Sequence, residues 1–117
     1  MKRRDADWLR DILDAIDEIE KALASKSLPS FKDDRILRAA VSHFLLVISE
    51  ASRHVPAALK ADFPLIVWGD IAKIGNRIRH GYFSLDPDIM WGIHEVDLPA
   101  LRHTIEEMLH RLETKSN

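Results

Sequence analysis

Asn76, Arg77, Arg79, His80 and Tyr82 fall within seven residues, in the run Ile74-Gly75-Asn76-Arg77-Ile78-Arg79-His80-Gly81-Tyr82-Phe83. Tyr82 is the chain's only tyrosine, and no acidic residue lies between Ile71 and Leu85. The grouping is a local cationic site on a chain whose formal net charge is −2. A guanidinium can hold two phosphate oxygens in a fork, an imidazole can move a proton near neutral pH, and an amide adds a neutral donor. Such parts suit a phosphodiester better than a metal ion or a carbonyl. They suffice for metal-free cleavage of RNA: the histidine acts as general base or acid at the ribose 2′-hydroxyl, and arginine stabilises charge on the pentavalent phosphorane. A plainer reading stands beside this one, a solvated polar face with His80 as a cation favoured by the helix C-terminus.

The elements that must position these residues are helical, and nothing reads as a strand. From Asp5 to about Ala24 the apolar residues Trp8, Leu9, Ile12, Leu13, Ile16, Ile19 and Leu23 recur at helical spacing. Ser25 to Lys32, with Pro29, reads as a loop. A second helix is predicted from about Asp33 to His54, with Asp33 or Asp34 as N-cap and a buried face from Ile36, Leu37, Ala40, Val41, Phe44, Leu45, Ile48 and Ala51. Pro56 and Pro64 bracket a short helix or turn. A third main helix is expected over about Leu65 to His80, with Val67, Ile71, Ile74 and Ile78 inward and Gly81 as its stop. At about 100° per residue, Lys73, Asn76, Arg77 and His80 share the opposite sector, and Arg79 projects towards the sector of Gly75. Asp86-Pro87 opens a last helix to about Leu112, kinked or split by Pro99 near Asp97. The fold class is an all-α bundle in one domain, residues 1–117.

Composition narrows the setting. With 31 % charged and 46 % hydrophobic residues, the chain has the balance of an ordinary soluble globular domain. No apolar run approaches the roughly 20 residues of a membrane span, and no apolar stretch follows the basic N-terminus as in a secretory signal. Zero cysteines exclude disulfides, thiol catalysis and cysteine-bound zinc. A cytoplasmic protein without a membrane partner is expected. The net charge argues against a general nucleic-acid coat, yet leaves room for an enzyme that touches a few phosphates in one cleft.

Five stretches occur together in order: Trp8-Leu9-Arg10-Asp11-Ile12-Leu13-Asp14-Ala15-Ile16, Ile48-Ser49-Glu50-Ala51, Trp68-Gly69-Asp70-Ile71-Ala72, Asn76 to Phe83, and Asp97-Leu98-Pro99-Ala100-Leu101. Over nearly its whole length the chain resembles the HepT-like branch of the HEPN superfamily. The resemblance implies a dimeric helical bundle of four to five helices. It also implies a composite ribonuclease site in which two copies of an arginine, four intervening residues and a histidine face each other. It further implies a toxin of a toxin–antitoxin pair, acting on tRNA or mRNA and silenced when a small Mnt-type nucleotidyltransferase transfers AMP to a tyrosine. No cofactor is implied. Position by position, the family histidine falls on His80, its tyrosine on Tyr82 and the asparagine after its arginine on Asn76. The family arginine falls on Gly75, and here the sequence departs from the pattern. Arg77 or Arg79 would then supply the charge, though neither restores the original geometry, and a sharp rise in activity on Gly75→Arg would mark the native chain as a weakened enzyme.

Two function classes follow. One is the metal-independent RNA endonuclease, with His80 as acid–base group, Arg77 and Arg79 as phosphate binders, Asn76 as positioning donor and Tyr82 as the modified residue. The other is a catalytically silent helical module, or a nucleotidyltransferase partner subunit, that keeps the cationic helix without cleaving. The remaining residues read as structural. His94, His103 and His110 on the last helix lack a metal-binding spacing. Glu50 ends an apolar face and is suited to pair with Arg77, Arg79 or other polar groups of the bundle. Trp68 and Trp91 read as core or interface residues, and the acidic run from Asp11 to Glu20 as a solvated face.

Overall fold

The computed structural model describes residues 3–80 and 86–115. Its elements are helices α1 (Asp5–Leu23), α2 (Leu28–Asp33), α3 (Arg35–Ser52), α4 (Ala57–Ala61), α5 (Trp68–Arg79), α6 (Pro87–Gly92), a π-helical turn (Ile93–Asp97) and α7 (Leu98–Lys115). No strand occurs among the described residues, so the architecture is all-α. Tyr82 and Gly81 lie outside the described residues.

The amphipathic stripe of α1 drives the assembly. Leu9, Ile12, Ile16 and Ile19 are fully buried. They meet Val41, Leu45 and Ile48 of α3 on one side and Leu101, Ile105 and Met108 of α7 on the other. Burying each such side chain is worth about 1.5–3 kcal/mol, so this three-helix contact is the main source of stability. Its rim carries charge. Arg102 of α7 donates to Asp17 and, at 2.9 Å, to Glu20 of α1. The hydrogen bond to Asp17 is the chief reason that its pKa is raised. Helix α5 lies against α3, with Ile71, Ile74 and Ile78 partly buried against the edge of this core. No helix among the described residues is long and apolar enough to cross a membrane.

Several local expectations change. The stretch read as a loop contains α2. There Ser27 and Ser30 exchange backbone-to-hydroxyl hydrogen bonds of 3.0 and 3.3 Å, a capping box, and Pro29 stands in the first turn. A proline there sacrifices no helical hydrogen bond, so it marks a start where a breaker was expected. Asp34, not Asp33, caps α3 by accepting from the Leu37 amide at 3.0 Å. Ile36 is 83 % exposed. Periodicity assigns a residue to a helix face, but not whether a neighbouring element extends that far. Helix α5 starts at Trp68, not Leu65, and Val67 is its non-helical N-cap. A helical wheel does not apply at that position, and Val67 is 62 % exposed instead of inward.

The expected break near Asp97 takes a specific form. Pro99 lacks an N–H, and the chain passes it through the π turn, with the Leu98 amide bonding the Ile93 carbonyl five residues back. The axis therefore continues from α6 into α7 with one extra residue accommodated.

Candidate functional site

Gly75 decides how close α3 and α5 come. It is the buried residue of α5, and a Cβ placed on it would lie 2.8 Å from the Ser49 Cβ and closer still to its Oγ. Real Cβ atoms do not approach like this, so the crossing needs glycine. Ser49, itself fully buried, closes the contact with hydrogen bonds. The Gly75 amide donates to its Oγ at 3.1 Å, and its hydroxyl donates to the Ala72 carbonyl at 3.3 Å.

That approach brings Glu50 of α3 and its C-cap residue Arg53 onto α5. Glu50 forms an ion pair with Arg79. Arg53 donates to the Asn76 side-chain oxygen at 2.8 Å and to the Ala72 carbonyl at 3.4 Å. Arg79 donates to the same Asn76 oxygen. Two guanidinium donors on one oxygen fix the amide orientation, so the NH2 of Asn76 is the end left to donate elsewhere. The seam is thus Ser49, Glu50 and Arg53 against Ala72, Gly75, Asn76 and Arg79.

Arg77 and His80 lie at the exposed C-terminal end of α5. Among the described residues the Arg77 side chain makes no hydrogen bond or ion pair, and it is exposed. His80 is the C-cap, its backbone amide bonded to the Asn76 carbonyl at 3.1 Å. Lys73 is also exposed and is held loosely by Asp70 at 3.9 Å. The structure therefore brings Asn76 and Arg79 together against α3 and leaves Arg77 and His80 facing outward. Arg79 does project to the Gly75 side, as its sector predicts, and of the partners open to Glu50 the structure selects Arg79.

Arg53 was not among the sequence candidates. The available signal was its spacing, since Glu50 and Arg53 are three apart and share a helix face. The packing also bears on Gly75→Arg. The space where that side chain would start is filled by Ser49.

The remaining candidates fall in structural settings. Trp68 is half-buried, with Lys60 over its ring at 5.5 Å. Burial lowers the Lys60 pKa. Trp91 packs against Phe31 and His94. His103 pairs with Glu107 one turn along α7 at 2.7 Å. Among the described residues no three His, Asp or Glu side chains gather as a metal site requires.

An all-helical bundle with an Asn-Arg-x-Arg-His end to one helix is the setting in which the family match falls. The model of the family described as "Ribonuclease HepT-like" matches residues 12–108, and the chain belongs to that family. It is 32 % identical to "Probable ribonuclease HepT" of Thermococcus cleftensis over 92 % of this chain and 98 % of the relative. A protein of Methanocaldococcus jannaschii named as a "Putative RNase" is 28 % identical over 91 % of this chain and 98 % of its own length. One of Caldanaerobacter subterraneus with the same style of name is 24 % identical over 89 % and 93 %. No solved structure is significantly similar to the chain.

Proposed function

We propose that this protein is a metal-independent RNA endonuclease of the toxin class, acting as a homodimer. The observation that carries the reading is the end of α5. It presents an exposed arginine, an exposed histidine and an amide donor of fixed orientation within two turns of one helix. His80 removes the proton from a ribose 2′-hydroxyl. The 2′-oxygen attacks phosphorus, the bond to the 5′-oxygen breaks, and the products end in a 2′,3′-cyclic phosphate and a 5′-hydroxyl. Arg77 binds the non-bridging oxygens as negative charge grows on them, and the Asn76 NH2 donates to the same group. Arg79 contributes through the seam. A histidine from the second copy returns a proton to the leaving 5′-oxygen, which is why the site is completed by two chains. Leu65 and Val67, largely exposed, line an apolar groove with Ile71, Ile74, Leu98 and Leu101 that is available to that copy.

In this reading the substrate is a structured RNA such as tRNA. A Mnt-type nucleotidyltransferase acts as antitoxin by transferring AMP to Tyr82, which places a bulky anion two residues from His80. The protein works in the cytoplasm. The silent-module alternative draws on one observation, the packing of Ser49 that leaves no room for an arginine at position 75.

The test is cleavage of bulk tRNA in excess EDTA by wild type beside His80→Ala, using protein whose Tyr82 is shown by mass to be unmodified. Loss of about 100-fold or more in the variant, with cyclic-phosphate ends from wild type, is expected for a proton-transfer group. Equal cleavage by both removes His80 from the chemistry. No cleavage by either leaves the silent module as the reading.

A further inference from the structure

Three arginines, Arg53, Arg77 and Arg79, stand at the Asn76 end of α5, and they are not equivalent. Arg79 uses one terminal nitrogen on Asn76 and the other on the Glu50 carboxylate, so its charge is offset. Arg53 is held differently. Its two acceptors, the Asn76 amide oxygen and the Ala72 carbonyl, are both neutral, and the same terminal nitrogen serves both. Among the described residues its Nε–H and the other NH2 have no acceptor, and the side chain is exposed. A guanidinium has five donors in a rigid plane. Arg53 therefore keeps its full charge and three donors, on a head already anchored within hydrogen-bond distance of the site's amide.

The helix crossing explains how a residue at the C-cap of α3 comes to serve this site. Gly75 has no side chain, and the cation that α5 does bring to this seam, Arg79, is paired with Glu50. The absent Cβ is also what lets α3 come close enough for Arg53 to reach Asn76.

We infer that Arg53 is a phosphate-binding residue of this site, gripping the backbone of a single-stranded or duplex RNA with Arg77 while Arg79 remains tied to Glu50. The inference rests on the RNA reading above and adds to it a residue from a different helix. A guanidinium that only held Asn76 in place would not release counterions when RNA binds. One that touches a phosphate must, and this separates the two roles.

The experiment measures the affinity of bulk tRNA against salt concentration for His80→Ala protein, which keeps the RNA intact, with and without Arg53→Gln and Arg53→Lys. The expected result for Arg53→Gln is about tenfold weaker binding at low salt and a slope of log K against log salt smaller by about 0.7–0.9. Arg53→Lys should keep the slope. Repeating the Arg53→Gln comparison on an Asn76→Ala background should give the same decrement, since a direct phosphate contact does not act through the amide. Binding with an unchanged slope in Arg53→Gln overturns the inference and leaves the RNA reading standing. Absence of tRNA binding by every variant and by the parent overturns the RNA reading and this inference with it.

Discussion

Helix α3 meets α1 along one face and α5 along another, and the two contacts are made of different material. Towards α1 the surfaces are apolar. Leu9, Ile12, Ile16 and Ile19 are fully buried, and Val41, Leu45 and Ile48 come from the α3 side. Towards α5 the buried residues are Ser49 and a glycine, and the side chains spanning the gap are Glu50, Arg53, Asn76 and Arg79. The first contact excludes water and the second borders it. Exposed ion pairs contribute only about 0–1 kcal/mol each, so α5 is held mainly by its half-buried Ile71, Ile74 and Ile78 and by fit at Gly75. A bundle can therefore keep a chemically active edge without staking its stability on it.

The largest separation between the two contacts should come from deleting apolar volume. Ile16→Ala on α1 is expected to cost about 2–5 kcal/mol by chemical denaturation, because the site is fully enclosed. Ile78→Ala on α5 should cost clearly less, since its side chain is partly solvated already. Equal losses would mean that α5 belongs to the same cooperative centre as α1, and the division drawn above would be wrong.

A smaller and more specific effect is expected at the crossing itself. Gly75→Ala adds one methyl group against Ser49 and should destabilise by about 1–3 kcal/mol, the usual range for overpacking. Without the obstruction the sign should reverse, because alanine is favoured over glycine inside a helix by about 1 kcal/mol. Ser49→Gly combined with Gly75→Ala should thus recover much of the loss, as a double-mutant cycle of melting free energies would reveal. Gly75→Arg belongs to the same series and should be worse than alanine. If it instead folds and cleaves better than wild type, α3 can yield, and the tightness assigned to this crossing is mistaken.

How much of this was legible beforehand divides along the same line. The α1 stripe and the Asp86-Pro87 start are each properties of one segment, displayed by a single-helix period and a local cap signal, whereas the division of Asn76 and Arg79 from Arg77 depends on α3. Helix α2 is hard to see in sequence because Pro29 has the type of a breaker, and only the reciprocal Ser27 and Ser30 caps make it a start. Val67 was placed inward by extending a helical period past the helix end. Spacing puts Arg53 on the face of Glu50, but it does not show that Arg53 reaches Asn76. Its role depends on a distance between two helices, and that distance is set by the side chain missing at position 75. Departures from a motif are read most safely as packing facts first. Here the glycine marks a close approach, and that approach lets the Arg53 guanidinium reach Asn76.

The smallest stability effect should carry the clearest chemical answer, and it concerns Glu50. The sequence left Arg77 and Arg79 as equal claimants for phosphate, and the structure ties Arg79 to Glu50 at the surface. Glu50→Gln removes one negative charge beside the cationic cluster while keeping an oxygen for Arg79 to bond, so stability should change by less than about 1 kcal/mol. If Arg77 and Arg53 do the binding, the lost repulsion should tighten RNA about three- to fivefold at low salt, shrinking as salt screens it. If affinity falls instead, the carboxylate has been holding Arg79 in a working position, and Arg79 is then the phosphate binder. The same binding titration, read for its direction alone, thus distinguishes a restrained arginine from a prepared one.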